Sequence, residues 1–500
     1  MKTPSLTQTI NSQNTWPLYS VAQTQTIELA GQAALPAHTL MQRAGLATAQ
    51  LALAIAPHAQ KIWIACGPGN NGGDGLEAAV HLQAWGKHPI VTWLGQAGHV
   101  PADAQRAWER AKAAGVEFQL DTPSHFDLAI DALLGIGAQR PPEGLMAQWL
   151  DTMQHSTAAV LYVDVPTGLL ADSGEWLSQP THSNSNSNSN SNDHGQRHTL
   201  SLLTLKPGLF TAQGRDAAGQ VWFNSLGVAH DTAPTAWLQQ NNPEPIARAH
   251  SSHKGSYGDV IVIGGAPGMA GAAVLACLGA LHGGAGRVFA ALLDEDARQA
   301  VTATHPALMV RDPLGLPLET ATVVCGCGGG SLIHPLLAHA LSASKTLVLD
   351  ADALNAIARD TSLQTLLKKR STRGKTTVLT PHPLEAARLL GCSAEDIQRR
   401  RLQAADQLAQ QYQAIVVLKG SGSVIASPNH TPVINASGNA LLATAGTGDV
   451  LAGLVGAYLA AGANAFEATC QAVFTHGQVA DTWPCDGPAL DAAALAASVR

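Results

Sequence analysis

KIWIACGPGNNGGDGLEAAVHLQAW, residues 61–85, sets an apolar run, a glycine-rich segment and a run of helical periodicity in immediate succession. Residues 61–66 read as a short buried strand, 67–75 as a loop and 76–85 as a helix. In that order, the three place a phosphate or dinucleotide at the carboxyl end of a parallel sheet. The loop is not the GxGxxG fingerprint. Its adjacent Asn70 and Asn71 offer carbonyl oxygens suited to an alkali cation and amide groups suited to phosphate, more polarity than a turn needs.

Outward from this stretch the alternation continues. Residues 19–55 read as one lead-in helix. Strands are expected at 89–94, 128–133 and 159–163, with helices at 102–114 and 143–153 between them, which is βαβ alternation and argues a doubly wound parallel sheet. Two strand ends carry carboxylates, Asp131 in DALLGIG (131–137) and Asp164 in VDVPTGL (163–169). Ligands of such sheets bind outside the carboxyl ends of the strands, so both aspartates should converge on the glycine loop; each also reads as a strand-end cap. The Ser-Asn pairs at 183–192 cannot bury apolar area and are expected to be a disordered insertion. Strands follow near 199–204 and 221–223. The Pro, Asn and Gln content of 236–249 reads as a linker, giving domains over 1–235 and 250–500.

The second half repeats the pattern. The strand at 259–263 runs into GGAPGMAGAA (264–273), a small-residue helix follows to 281, and strands are expected at 287–292, 322–325, 346–349, 377–379 and 414–418. Their carboxyl ends lead into CGCGGG (325–330), DADALN (350–355), TPHPLE (380–385) and KGSGS (419–423). The acidic pair Asp350 and Asp352 suits Mg²⁺ or its waters, or a helix cap. Two prolines fix the direction of His382. Lysine, small hydroxyls and glycines at 419–423 suit a nucleotide phosphate, though the lysine comes first and this is no Walker loop. Last comes ATAGTGDVLAGLVGAYLAA, residues 443–461, a glycine loop feeding an apolar helix. Its start offers unpaired N–H groups and a positive dipole end to an anion. Asp449 stands where it could take a proton from a hydroxyl attacking a phosphoryl group, or merely cap the helix.

Composition bounds the partners. Five hundred residues exceed one ordinary core, and 46% hydrophobic with 13% charged residues describes a folded chain. A net charge of −7 without a long basic run disfavours a protein that coats nucleic acid or anionic membrane. The run Arg399, Arg400, Arg401 reads as a solvated helix face. Seven scattered cysteines fit reduced thiols, and no segment offers the roughly 18 to 20 apolar residues of a membrane span, so a cytoplasmic location is expected.

GNNGGDG, DALLGIG and VDVPTGL resemble the signature loops of the NAD(P)HX epimerase domain. GGAPGMAGAA, DADALN, LTPHPLEAARLL, VLKGSGS and GTGD, in that order, resemble the ADP/ATP-dependent NAD(P)HX dehydratase domain. The resemblance is to bifunctional NAD(P)H-hydrate repair enzymes. It implies a Rossmann-like doubly wound α/β domain followed by a ribokinase-like α/β domain, the first interconverting the R and S epimers of hydrated NADH or NADPH and the second dehydrating the S form. It further implies that Asn70, Asn71, Gly72, Gly73, Asp74, Gly135, Ile136, Gly137, Ala138, Gln139, Arg140, Pro141 and the catalytic Asp164 bind substrate in the first domain. Asn71, Asp131 and Thr167 would ligate potassium, Thr167 standing where serine is usual. In the second domain Ala272, Gly328, His382 and the catalytic Asp449 would touch the hydrate, while Lys419, Gly420, Ser421, Gly422, Ser423 and Gly448 would hold ADP or ATP with Mg²⁺. Leu384 departs from a usual glycine and Cys327 from the usual GPGxG. A homo-oligomer with small-molecule partners is expected. A ribokinase-like small-molecule kinase shares GTGD but leaves the first half unexplained, and a nucleotide sensor without turnover would not need aspartates at both sites.

Overall fold

The computed structural model describes residues 7–10, 14–178, 195–239 and 250–499, so the Ser-Asn tract and residues 240–249 of the expected linker lie outside the described residues. Two compact units are present, the first running to Ala236 and the second from Trp237.

In the first unit the strands lie in the order Gln8–Thr9, Gln220–Asn224, Arg197–Leu202, Ala159–Val163, Leu128–Ala132, Lys61–Cys66, His88–Trp93, Glu117–Gln119. All neighbours are parallel except the outermost Gln8–Thr9. From Lys61–Cys66 the chain builds outward to Glu117–Gln119, then returns to Leu128–Ala132 on the other side, so a switch point opens between these two neighbours. Ile62, Ile64, Leu128 and Ile130 are fully buried against Leu76, Ala79 and Leu82 of the following helix.

Two expectations for this unit need correction. The single helix over 19–55 is two, Val21–Ala34 and Thr39–Ile55. Pro36 forces Leu35 into extended backbone and His38 turns left-handed at φ 72° before the chain resumes. The helix expected from residue 76 begins at Asn70 and runs to Ala84, after the extended N-cap Gly69. Gly72 makes this start feasible: a Cβ there would overlap the Gly67 carbonyl. What reads as a loop is therefore the first turn of a rigid helix, and it carries Asn70, Asn71 and Asp74.

The second sheet runs Met309–Val310, Arg287–Leu292, Asp259–Gly264, Thr322–Cys325, Thr346–Leu349, Thr376–Leu379, Ile415–Leu418, Val424–Ser427, His430–Asn435, Ala236–Gln239. It is parallel as far as Ile415–Leu418 and then turns antiparallel through Val424–Ser427 and His430–Asn435. The switch point lies between Asp259–Gly264 and Thr322–Cys325. Residues 236–239 of the expected linker form a strand, parallel to His430–Asn435.

Above the sheet, helices Ala270–His282 and Thr447–Ala460 pack on each other through small residues. Added Cβ atoms on Gly453 and Gly279 would overlap the carbonyls of Ala276 and Val450 respectively, so each glycine admits the other helix's backbone. This contact fixes the start of Thr447–Ala460 and hence Asp449. Among the described residues no helix is long and apolar enough to cross a membrane.

Gly453→Val should separate the two helices. Overpacking of this kind costs about 1–3 kcal/mol, so denaturant unfolding of the second unit should shift to lower midpoint. Gly271→Ala, where an added methyl meets open space, should leave the midpoint unchanged or raise it.

Candidate active sites

A cavity of about 390 Å³ lies in the first unit, at its switch point. The helix start at Gly69, Asn70 and Asn71 lines it, so unpaired N–H groups and the positive helix end face the opening. Asp74, Gly135, Ile136, Gly137, Ala138 and Asp164 line it as well. Gly72 and Gly73 do not; they are packed against Gly67 and against Met41 and Ala104. Gln139, Arg140 and Pro141 are also absent from its wall.

Asp131 ends its strand fully buried. Its carboxylate accepts from the Thr167 hydroxyl at 2.7 Å, the Thr167 N–H at 3.1 Å and the Leu133 N–H at 3.1 Å. Burial raises its pKa to about 6 against these three bonds, and among the described residues it has no ion-pair partner. The Thr167 hydroxyl also receives the Leu134 N–H at 3.0 Å, and a Cβ on Gly135 would stand 3.4 Å from Asn71 Oδ1. Asp131 and Thr167 are thus in direct contact, and Asn71 adjoins the loop at Gly135 that follows Asp131.

Two polar side chains of this unit, Lys206 and Glu77, were missed in the sequence. Lys206 is fully buried and its ammonium is paired with Asp164. Only its place inside an apolar run, LTLKPGL, hints at a buried charge. Glu77, also fully buried, accepts from Arg110 Nε at 2.8 Å and pairs with His38 Nε2 at 2.7 Å, tying the helix start to its neighbours.

In the second unit Asp449 lies in the first turn of Thr447–Ala460, whose N-cap is Gly446 at φ 90°. The capping alternative for Asp449 is thereby excluded. Polar atoms of Asp449, Asp350 and Cys327 lie within 4.8 Å of one another. Lys419 Nζ donates to Asp350 Oδ1 at 2.7 Å, and the Thr380 hydroxyl donates to the same oxygen at 2.8 Å. A Cβ on Gly448 would stand 3.3 Å from Lys419 Nζ, which puts the lysine beside the glycine loop. Burial, joined by Asp350, raises the Asp449 pKa to about 6, while a Cys327 thiol hydrogen bond and the Lys419 charge pull it down. Burial pushes the Cys327 thiol well up, so it stays protonated and donates.

Gly328 and Ala272 are adjacent, each beside Met269 or its neighbours. His382 is half-exposed and caps helix Pro383–Leu390, its Nδ1 accepting from the Leu384 N–H at 3.1 Å. Asp352 accepts from the Gly330 N–H at 2.8 Å, so of the acidic pair only Asp350 joins the cluster. Arg401 corrects the reading of 399–401 as one solvated face. It is 1% exposed, and its guanidinium donates at 3.3 Å to the carbonyls of Leu418, Lys419 and Gly422, bracing the loop of Lys419, Gly420, Ser421, Gly422 and Ser423. His476, missed in the sequence, is buried and held neutral, its pKa lowered to about 4 by burial; its Nε2–H donates to the Thr447 carbonyl at 2.9 Å and anchors the glycine loop.

Fold and sites together define a chain of two α/β units, each gathering acidic and small polar groups at the switch point of a mainly parallel sheet. The family model of the YjeF-related protein N-terminus matches residues 37–208, and that of NAD(P)H-hydrate dehydratase matches residues 260–498. The chain belongs to the family of bifunctional NAD(P)H-hydrate repair enzymes. It is 36% identical to the bifunctional NAD(P)H-hydrate repair enzyme of Escherichia coli over 91% of this chain and 87% of that one. With the Coxiella burnetii enzyme of the same name it shares 33% identity over 93% and 94% of the two chains. A solved ADP/ATP-dependent NAD(P)H-hydrate dehydratase from Bacillus subtilis, co-crystallised with ATP and Mg²⁺, is 30% identical and covers 50% of this chain and 90% of its own, with a TM-score of 0.44. The protein is an epimerase and a dehydratase of hydrated NAD(P)H.

A base must be ionised to act, so if Asp449 is the base of the dehydration, the reaction should be full above its pKa of about 6 and fall as pH drops through it. Cys327→Ala removes the thiol that donates to this carboxylate and should move the acid limb of the rate profile to higher pH. An unmoved limb would mean that another group sets it.

Proposed function

We propose that the first unit inverts the configuration at C6 of hydrated NAD(P)H at the cavity lined by Asn70, Asp74 and Asp164, and that the second unit phosphorylates the C6 hydroxyl of the S epimer. Asp449 accepts the hydroxyl proton as the oxygen attacks the terminal phosphoryl group of ADP or ATP. The N–H groups at the start of Thr447–Ala460 stabilise the transferring charge. Phosphate is a far better leaving group than hydroxide; its departure from C6 with loss of a proton from C5 restores the dihydronicotinamide. The observation that carries this reading is the position of Asp449, one turn into a glycine-capped helix and beside Lys419.

For the nucleotide, Lys419, Gly420, Ser421, Gly422, Ser423 and Gly448 form the proposed seat, braced by Arg401. Asp350 and Asp449 are the carboxylates suited to Mg²⁺, a hard cation that favours oxygen over the Cys327 sulfur. The first unit fits potassium: Asp131 is a buried carboxylate without a basic partner among the described residues, bonded to the Thr167 hydroxyl, with Asn71 beside the following loop at Gly135. Bound there, the ion would supply the missing counter-charge and hold three loop segments in place. Seven cysteines without a disulfide support a cytoplasmic location.

Asp449→Asn keeps size and removes the base, so dehydration should fall by roughly 10² or more while epimerisation persists. Asp164→Asn should leave dehydration intact but halt conversion of a mixed-epimer sample once the S form is consumed, apart from slow spontaneous interconversion. The end-point absorbance of regenerated dihydronicotinamide reads both. Prompt, full conversion by Asp164→Asn, or loss of epimerisation in Asp449→Asn, would overturn the assignment.

A further inference from the structure

Two carboxyl groups on the wall of the first unit's cavity stand in opposite settings. Asp164 is tied down by a cation. The Lys206 ammonium, fully buried, meets Asp164 Oδ1, the Leu202 carbonyl at 2.6 Å and the Ser201 hydroxyl at 3.4 Å, so its donors are used within the protein. Leu202 N–H donates to the same Oδ1 at 3.2 Å. The second carboxylate oxygen has no hydrogen-bond partner among the described residues. Asp164 also sits at φ 69°, a left-handed backbone that costs a residue other than glycine about 1–3 kcal/mol and that tends to mark functional positions.

Asp74 stands on the first turns of Asn70–Ala84 and lines the same cavity. Its carboxyl makes no hydrogen bond among the described residues. The charges that act on it most are all acidic: Asp164, Glu28, Glu77 and Asp103. The basic groups near these are engaged elsewhere, Arg110 and His38 with Glu77, and Arg106 with Asp103. Burial, reinforced by those four carboxylates, lifts Asp74 well above the usual carboxylate range, so it holds a proton where an ordinary aspartate has lost one. Two ionised carboxylates could only accept protons and two neutral ones could only donate; one of each makes an acid–base couple.

Resting on the epimerase assignment of this unit, we propose that Asp74 is the proton donor and Asp164, fixed by Lys206, the proton acceptor for inversion at C6. Asp164 takes the proton of the C6 hydroxyl, whose O–H electrons become the second C–O bond. The C6–N1 bond breaks, its pair goes to N1, and N1 takes the proton of Asp74. This gives a ring-opened aldehyde bearing an N1–H. Rotation about C5–C6 turns the other face of the carbonyl to N1. The reverse transfers close the ring with the opposite configuration, returning one proton to Asp74 and one to oxygen. No oxidant, water or third reactant enters. Lys206 is a positioning residue: it touches Asp164 and not the reacting atoms.

The test uses the full chain. Asp74→Asn keeps shape and an N–H donor, so epimerisation should lose roughly 10² or more in kcat with KM within a few-fold. The alkaline limb of its pH profile, where the donor loses its proton, should vanish. Lys206→Met should lower kcat of epimerisation, because Asp164 loses the cation that fixes it, and Lys206→Arg should restore it. Nucleotide-dependent dehydration of the S epimer by each variant reports that the chain is intact, and thermal unfolding reports on the first unit. Should Lys206→Met fail to fold, Asp74→Asn decides alone. Wild-type kcat in Asp74→Asn, or a lowered kcat with the alkaline limb kept, overturns the proposal. A wild-type enzyme that does not epimerise at all would instead remove the assignment on which it rests.

Discussion

Each unit depends on one constraint of parallel sheets. Where the chain stops building outward and returns to the far side of its first strand, the two connections leave in opposite directions and no segment covers the carboxyl ends of the neighbouring strands. Lys61–Cys66 beside Leu128–Ala132 is that place in the first unit, and Asp259–Gly264 beside Thr322–Cys325 in the second. The polar apparatus follows from it. Asn70–Ala84 begins at the end of one strand and Asp131 closes the other. In the second unit the N–H groups of Gly265 and Ala266 donate to the carbonyls of Cys327 and Gly328 at 3.0 and 2.7 Å, lacing the two loops together.

The electrostatics also recur. In each unit a lysine pairs with one aspartate, the fully buried Lys206 with Asp164 and the partly buried Lys419 with the buried Asp350. A second aspartate, Asp74 or Asp449, lies close by without an ion pair among the described residues and is raised by burial and by neighbouring carboxylates. Breaking a buried pair costs about 3–5 kcal/mol because a lone charge is left behind. Such pairs are therefore dependable fixtures on which a reactive group can be oriented. Burial opposes the Lys419 charge, yet Asp350 and Glu385 together hold its pKa above the usual lysine value, so it remains a cation beside the glycine loop.

The strands were legible because apolar runs such as 260–263 and 415–418 have few other uses, and glycines at their ends mark where a backbone must come close. The helix start at Asn70 was not, since GPGNNGGDG has the composition of a loop and only the approach of Gly72 to Gly67 shows that its glycines serve packing. Charges pointing inward were the least visible. Arg401 follows two arginines that the sequence does not distinguish from it, and its burial depends on the carbonyls of Leu418, Lys419 and Gly422, which the sheet brings near. Lys206, Glu77 and His476 were missed for the same reason: each finds its partner on a segment remote in sequence or packed only in the fold.

The central claim is that one chain carries two reactions in sequence, and the pure R epimer of hydrated NADH tests it most directly. Supplied with K⁺, Mg²⁺ and ADP or ATP, the wild-type enzyme should convert it completely to the dihydronicotinamide after a lag set by epimerisation. Without nucleotide no dihydronicotinamide absorbance should appear. Conversion in the absence of nucleotide, or none in its presence while the S epimer is consumed, would contradict the account.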